Sequence, residues 1–144
     1  MFSMALVLLV SACAPREVKY TNPFHQWRTV DVISAFQAAG LPVEIPRLRK
    51  DERDIFSYDK AIESQRIKIP IQSELTSGNG LIFSFQNEGD LQEMQEFYVG
   101  LGEALPQYDS WIFIKDNLLL QINREIPETV AKRYTAALDL LDEQ

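Results

Sequence analysis

Apolar residues recur along the chain in two rhythms, and the switches between them predict the elements. Val32, Ile33, Phe36 and Ala39 fall at spacings of three and four, which predicts a helix over Val30 to Ala39. Thr29 stands where an N-cap is wanted, and Gly40 where a left-handed residue closes the helix. Leu41 to Pro46 is a short extended piece limited by two prolines, which suits a sheet edge. Arg47 to Ser64 mixes charges with scattered apolar residues and reads as a long loop with a turn of helix. Arg66 to Ile71 (RIKIPI) alternates polar and β-branched residues as a half-buried strand does. Gly80 to Phe85 (GLIFSF) follows a Ser77-Gly78-Asn79-Gly80 turn, so the two segments predict a hairpin.

Further on, Leu91, Met94, Phe97, Tyr98 and Leu101 return to helical spacing, with Asn87 or Asp90 as cap and Gly102 and Pro106 as the stop. Trp111 to Ile114 and Leu118 to Ile122 flank Asp116-Asn117, residues that tolerate the positive φ of a tight turn; this is the strongest hairpin signal in the chain. A last helix opens at Pro127, with Glu128 near its positive end and Val130, Tyr134, Ala137, Leu138 and Leu141 on one face. The order is that of a single α+β domain over residues 27–144. Its sheet is mainly antiparallel, of about 4–5 strands, with helices packed on one face. The βαββα run from Gly80 to Leu141 resembles part of a ferredoxin-like unit, a likeness of element order that carries no function.

The start of the chain has a different character. Met1 to Val10 (MFSMALVLLV) is apolar but far shorter than the roughly 20 residues of a membrane-spanning helix. Its length suits the apolar core of an export signal, and the small residues Ser11 and Ala12 follow where a signal peptidase cuts. The run has no Lys or Arg ahead of it, a feature that a start upstream of Met1 would supply. Val10-Ser11-Ala12-Cys13 resembles the lipobox of bacterial lipoproteins. The resemblance implies a signal peptide over residues 1–12 and diacylglycerol in thioether linkage on Cys13, followed by a tether over residues 13–26. Two or more acyl chains give stable anchoring where one does not. Ala14 stands where an Asp would signal inner-membrane retention in such proteins, so the outer membrane stays open. The expected location is the extracytoplasmic face of a bacterial membrane.

A looser resemblance covers more of the chain. Thr29 to Leu41 (TVDVISAFQAAGL), Arg66 to Phe83 and Trp111 to Asn123 (WIFIKDNLLLQIN) are similar to segments of uncharacterised bacterial lipoproteins that share a strand–helix–hairpin–helix domain. Where those proteins tend to show a glycine pair before a strand, this chain has Gly78-Asn79-Gly80. The resemblance implies an anchored placement and supplies neither an activity nor catalytic residues.

Composition narrows the partners. The 144 residues are 46% hydrophobic and 24% charged, as in one ordinary globular domain, and the formal net charge is −7. Basic residues slightly outnumber acidic ones up to Lys60, and the negative excess lies beyond it. That balance argues against nucleic acid, which needs clustered Lys and Arg. Cys13 is the single cysteine, so no disulfide forms within the chain.

Candidate chemistry is sparse. His25 is the single histidine, which excludes His-rich zinc motifs, and it is expected to pack with Phe24 and Trp27 where tether meets domain. Gly78-Asn79-Gly80 has neither phosphate-loop pattern beside it and reads as a turn. Glu93 with Glu96, and Asp139 with Asp142, could work as acid and base, but each pair lies opposite the apolar stripe of its own helix. Asp51, Glu52, Asp54 and Asp59 lack calcium-loop spacing and are expected to pair with Arg49, Lys50 and Arg53. The sequence implies no metal and no cofactor.

Aromatic residues remain. Tyr58, Phe83, Phe85, Tyr98, Tyr108 and Trp111 could line a ligand groove. Tyr108 and Trp111, next to Pro106 and a loop, are the two expected to be partly exposed and to bind. The favoured expectation is therefore a non-enzymatic, lipid-anchored domain that binds a partner protein or envelope component. A solute-binding or sensing accessory protein is the alternative, and an envelope hydrolase with two carboxylates about 5–10 Å apart in a cleft is a third.

Overall fold

The two central strands show how this chain folds, because they are apolar on both sides. In β2 (Gly80–Ser84) every residue is buried, and in β4 (Leu118–Asn123) only the last is not. Such continuous runs, rather than strict alternation, mark strands covered on both faces. In the computed structural model, which describes residues 24, 26–47, 59–71 and 79–143, β2 and β4 lie side by side in a four-stranded sheet. Its order is β1-β2-β4-β3, with β1 at Glu63–Ile67 and β3 at Ser110–Lys115, and every pairing is antiparallel. The domain is α+β, as the element order predicts.

Among the described residues three α-helices cover this sheet: α1 (Thr29–Ala38), α2 (Glu88–Ala104) and α3 (Glu128–Leu138). On one face Ile67, Ile82, Leu118, Leu120 and Ile122 meet Val32 and Phe36 of α1 and Ala131, Tyr134 and Leu138 of α3. The rings of Phe36 and Tyr134 stand edge to face with centroids 5.0 Å apart, and the Tyr134 hydroxyl donates to the Pro42 carbonyl. On the other face Leu81, Phe83 and Leu119 meet Leu91 and Met94 of α2. Each fully buried Leu, Ile or Phe contributes about 1.5–3 kcal/mol relative to exposure. The expectation of helices on one face thus holds for α1 and α3, while α2 covers the opposite face. The both-sided apolar runs of β2 and β4 are the physical reason.

Several expected boundaries shift. Helix α1 starts at Thr29 rather than after it, because Arg28 is the cap residue and Asp31 accepts from the Arg28 N–H at 2.7 Å. Gly40, with φ +68°, ends the helix as predicted. Strand β1 lies earlier than Arg66 to Ile71. Lys68 instead makes an isolated antiparallel bridge with Glu44, which places the proline-bounded piece at the sheet edge as expected. β1 and β2 pair antiparallel as foreseen, and Asn79 closes their connection. Its backbone N–H donates to the Ile67 carbonyl, and its side chain accepts from the Ile69 N–H and donates to the Ile69 carbonyl. Asn87, not Asp90, caps α2, accepting from the Asp90 N–H at 2.9 Å. Gly102 lies inside α2, which runs on to Ala104. The Asp116-Asn117 hairpin turn forms as predicted, with φ +50° at Asp116. The core of the long loop, residues 48–58, lies outside the described residues, whereas Glu63 and Ser64 at its expected end belong to β1.

Candidate functional site

The sequence places Tyr108 and Trp111 at the join between α2 and β3, and the structure makes that join a cross-linked corner. After α2 the chain makes a single 3-10 turn, Pro106–Tyr108, and then doubles back into β3. Gly102 allows the return, because a Cβ there would stand 2.9 Å from an Asp109 carboxylate oxygen and 3.1 Å from the Asp109 Cα. Asp109 then organises the corner. One carboxylate oxygen accepts from the Ser110 N–H at 2.8 Å, the other from Arg124 Nε at 2.8 Å, and its carbonyl accepts from the Arg124 N–H at 3.1 Å.

Arg124 reaches from Asp109 across Trp111, its guanidinium carbon 3.7 Å from the ring centroid. Contacts of this kind are worth about 0.5–1 kcal/mol where solvent reaches them. The Trp111 indole N–H donates to the Ile126 carbonyl at 2.8 Å, so its only donor is taken and the ring is fixed. Trp111 is half-buried against the α1–α3 core and one of its faces carries Arg124, so it acts as a support for the guanidinium. Tyr108 differs. It is 54% exposed, and Leu105 on the same turn is 42% exposed. The Tyr108 carbonyl accepts from Ser110 Oγ, which in turn accepts from Gln121 Nε2 at 2.7 Å. The corner thus presents an apolar and aromatic tip with an Arg–Asp pair at its rim, a chemistry of recognition.

The opposite end of β3 is built differently. There Trp27 and Asn117 pair like two strand residues: the Trp27 N–H donates to Asn117 Oδ1 at 2.9 Å, and Asn117 Nδ2 donates to the Trp27 carbonyl at 2.8 Å. The Trp27 indole N–H reaches Asp116 at 3.1 Å. Trp27 packs on the α1–α3 core and Phe24 on the α2 core, so the incoming chain passes from one face to the other at the β3–β4 turn.

Next to it, Glu63 fastens α1 to β1. One carboxylate oxygen accepts Arg28 Nε and Nη2 at 2.9 and 2.8 Å, and the other accepts the Thr29 N–H at 3.0 Å and its hydroxyl at 3.2 Å. Burial pushes the Glu63 pKa up, but the bonds from Thr29 and Arg28 outweigh it and leave the carboxyl below its ordinary range. No motif in the sequence points to Glu63, Asp109, Asn117 or Arg124, because each acts through a partner distant in the chain. The Asp116-Asn117 turn signal reaches Asn117 only as a turn residue.

The remaining candidates are placed as follows. Cys13, His25, Tyr58, Asp51, Glu52 and Asp54 lie outside the described residues. Glu93 and Glu96 are both exposed on α2, and Glu93 forms an ion pair with Lys60. Asp142 pairs with Lys115, and Asp139 is exposed one turn earlier. Asp59 is exposed. Phe83 and Phe85 are core residues. Tyr98 packs on the α2 core, and burial raises its pKa to about 12 against a small opposing pull from Arg66. Among the described residues no three His, Cys, Asp or Glu side chains could hold a metal together, and no helix is long and apolar enough to cross a membrane. No family model, curated protein or solved structure matches the chain.

Proposed function

We propose that the chain is an extracytoplasmic lipoprotein, anchored through Cys13, whose domain binds a partner protein or envelope component without catalysis. The leader and the Val10-Ser11-Ala12-Cys13 tetrapeptide support the anchor. The observation that carries the binding role is the polarity of the domain along β3. The chain enters beside Asn117 at one end, and the Tyr108 corner sits at the other, six residues or roughly 20 Å away along the strand. A domain hung from its entry end presents that corner away from the bilayer. The rigid backing of Tyr108 and Leu105 limits the ordering cost of binding, as preorganised surfaces do.

Native mass spectrometry of the full-length protein extracted from bacterial membranes, alongside Cys13→Ser and Tyr108→Ser, tests both halves. The wild type is expected to carry the mass of acyl chains that Cys13→Ser lacks, together with a co-eluting species that Tyr108→Ser loses. Equal masses for wild type and Cys13→Ser overturn the anchor. A bound species indifferent to Tyr108 overturns the binding surface.

A further inference from the structure

The sheet has two edges, and they are built on opposite principles. The outer strand β1 reads Glu63-Ser64-Gln65-Arg66-Ile67, and the Glu44–Lys68 bridge continues its edge. Charge and a covering segment are the ordinary means by which proteins keep an edge strand from pairing with another chain. Among the described residues, strand β3 has neither along its middle. Trp111, Ile112, Phe113 and Ile114 follow one another without a charge, a proline or a bulge, and among the described residues no strand pairs with their outer side.

The register shows which groups that edge presents. Lys115 faces Leu118 across the two-residue turn, and at the far end the Arg124 N–H donates to the Asp109 carbonyl. In an antiparallel ladder the bonded pairs alternate, so Asp109, Trp111, Phe113 and Lys115 spend their backbone groups on β4 and its continuation. The N–H and C=O of Ile112 and Ile114 therefore point outward. Ile114 is also 43% exposed.

We infer that β3 pairs with β3 of a second copy of this chain, antiparallel about a two-fold axis at Ile112, joining two four-stranded sheets into one of eight. This proposal goes beyond the anchored binding role and does not depend on it. Three features select a second copy as the occupant. Centring on Ile112 sets Ile112 opposite the partner's Ile112 and the Ile114 N–H opposite the partner's Ser110 carbonyl, so these outward groups meet in bonded register, while the Ser110 N–H stays with the Asp109 carboxylate. The same centring sets Trp111 opposite the partner's Phe113 on the α1–α3 side, an aromatic cross-strand pair formed twice. It also brings Asp109 opposite the partner's Lys115 at both ends, so the strand is complementary to itself in charge as well as in shape. A two-fold interface requires this kind of self-complementarity.

The test uses the full chain as Cys13→Ser, which removes association through acyl chains. Sedimentation across a concentration series is combined with residue-resolved amide hydrogen exchange. The expected result is a monomer–dimer equilibrium in which the Ile112 and Ile114 amides become at least about tenfold more protected as dimer forms, while Trp111 and Phe113, already bonded to β4, change little. A chain that stays monomeric overturns the proposal, and so does a dimer in which Ile112 and Ile114 exchange as fast as in the monomer. Ile112→Pro removes the outward donor without removing a β3–β4 bond and is expected to weaken the dimer at least about tenfold. Should that variant not fold, the wild-type exchange pattern decides alone.

Discussion

The two faces of the sheet hold cores of very different depth. Among the described residues, sixteen buried side chains form the core under α1 and α3, against six in the core under α2, and the first is covered by two helices in mutual contact and the second by one. On the first face the Phe36–Tyr134 contact locks the helices to each other. On the second, the flanks of α2 end in solvent, with Phe97 55% and Val99 47% exposed. The lesson is that stability and surface chemistry are divided between the faces. Among the described residues the α1–α3 side holds most of the buried core, while the α2 side, with the turn that follows it, carries exposed apolar groups and is expected to open at lower free energy.

The largest effect should come from breaking the deeper core. Phe36→Ala is expected to cost about 3–5 kcal/mol, because Tyr134 and the sheet beneath cannot close on the lost ring. Met94→Ala under α2 is expected to cost about 2–3 kcal/mol, since α2, with no second described helix locked to it, can settle onto the sheet. Urea unfolding of both variants measures the difference, and equal costs would remove the contrast between the faces. Amide exchange should rank the helices in the same order, with α2 opening at lower free energy than α3.

Where the incoming chain crosses between the faces, Asn117 is the next target. Its side chain satisfies both backbone groups of Trp27, so Asn117→Ala leaves a donor and an acceptor to find water or stay unpaired, at about 1–3 kcal/mol. Trp27 fluorescence should shift towards that of a solvated indole in this variant. Asn79→Ala removes the equivalent pair with Ile69, yet Asn79 also holds Ile67 and Asn123 through its own backbone. It should therefore destabilise the chain without moving Trp27. An unchanged Trp27 signal in Asn117→Ala would show that the core contacts alone hold the crossing.

Local signals in the sequence reach most of this fold. Helical spacing finds α1, α2 and α3, and Asp116-Asn117 finds the tight hairpin, because each rests on neighbours within one or two turns of chain. The division of helices between faces is written in Leu81-Ile82-Phe83 and Leu118-Leu119-Leu120, runs that bury both sides of a strand. A buried helix produces similar short runs, so the pattern becomes decisive only once the pairing of β2 with β4 is known. Tyr108 was legible as an exposed aromatic next to a proline turn. Arg124 and Asp109 were not, since fifteen residues separate them and no periodicity links a loop carboxylate to a guanidinium beyond the next strand.

Tyr98 provides a smaller, pH-dependent test of the shallow core. Burial raises its pKa to about 12 from 10.0, so between those values the folded chain keeps a proton that the unfolded chain has released. Stability therefore falls as pH rises from 10 to 12. Because Tyr98 is not wholly shielded from solvent, the loss should be about 1 kcal/mol, below the full linkage value for such a shift. Tyr98→Phe should lose a high-pH component of the phenolate absorbance and flatten stability across that range. An unaltered alkaline titration would mean that α2 leaves Tyr98 open to water.

The finest distinction lies within α2 itself, between two glycines one residue apart. Gly100 has open space where a Cβ would go, whereas a Cβ on Gly102 would press on the backbone of Asp109 at 3.1 Å. In an exposed stretch of helix, glycine to alanine stabilises by about 0.5–1 kcal/mol, so Gly100→Ala should raise the melting temperature. Gly102→Ala gains the same helix propensity but must push Asp109 away, and Asp109 holds Ser110 and Arg124. Its net effect should therefore be zero or negative, accompanied by loosening of Arg124 from the Trp111 ring, visible as a change in indole emission. If both alanines stabilise equally, the return of the chain under α2 is slack, and the corner bearing Tyr108 is not the rigid surface that its hydrogen bonds describe.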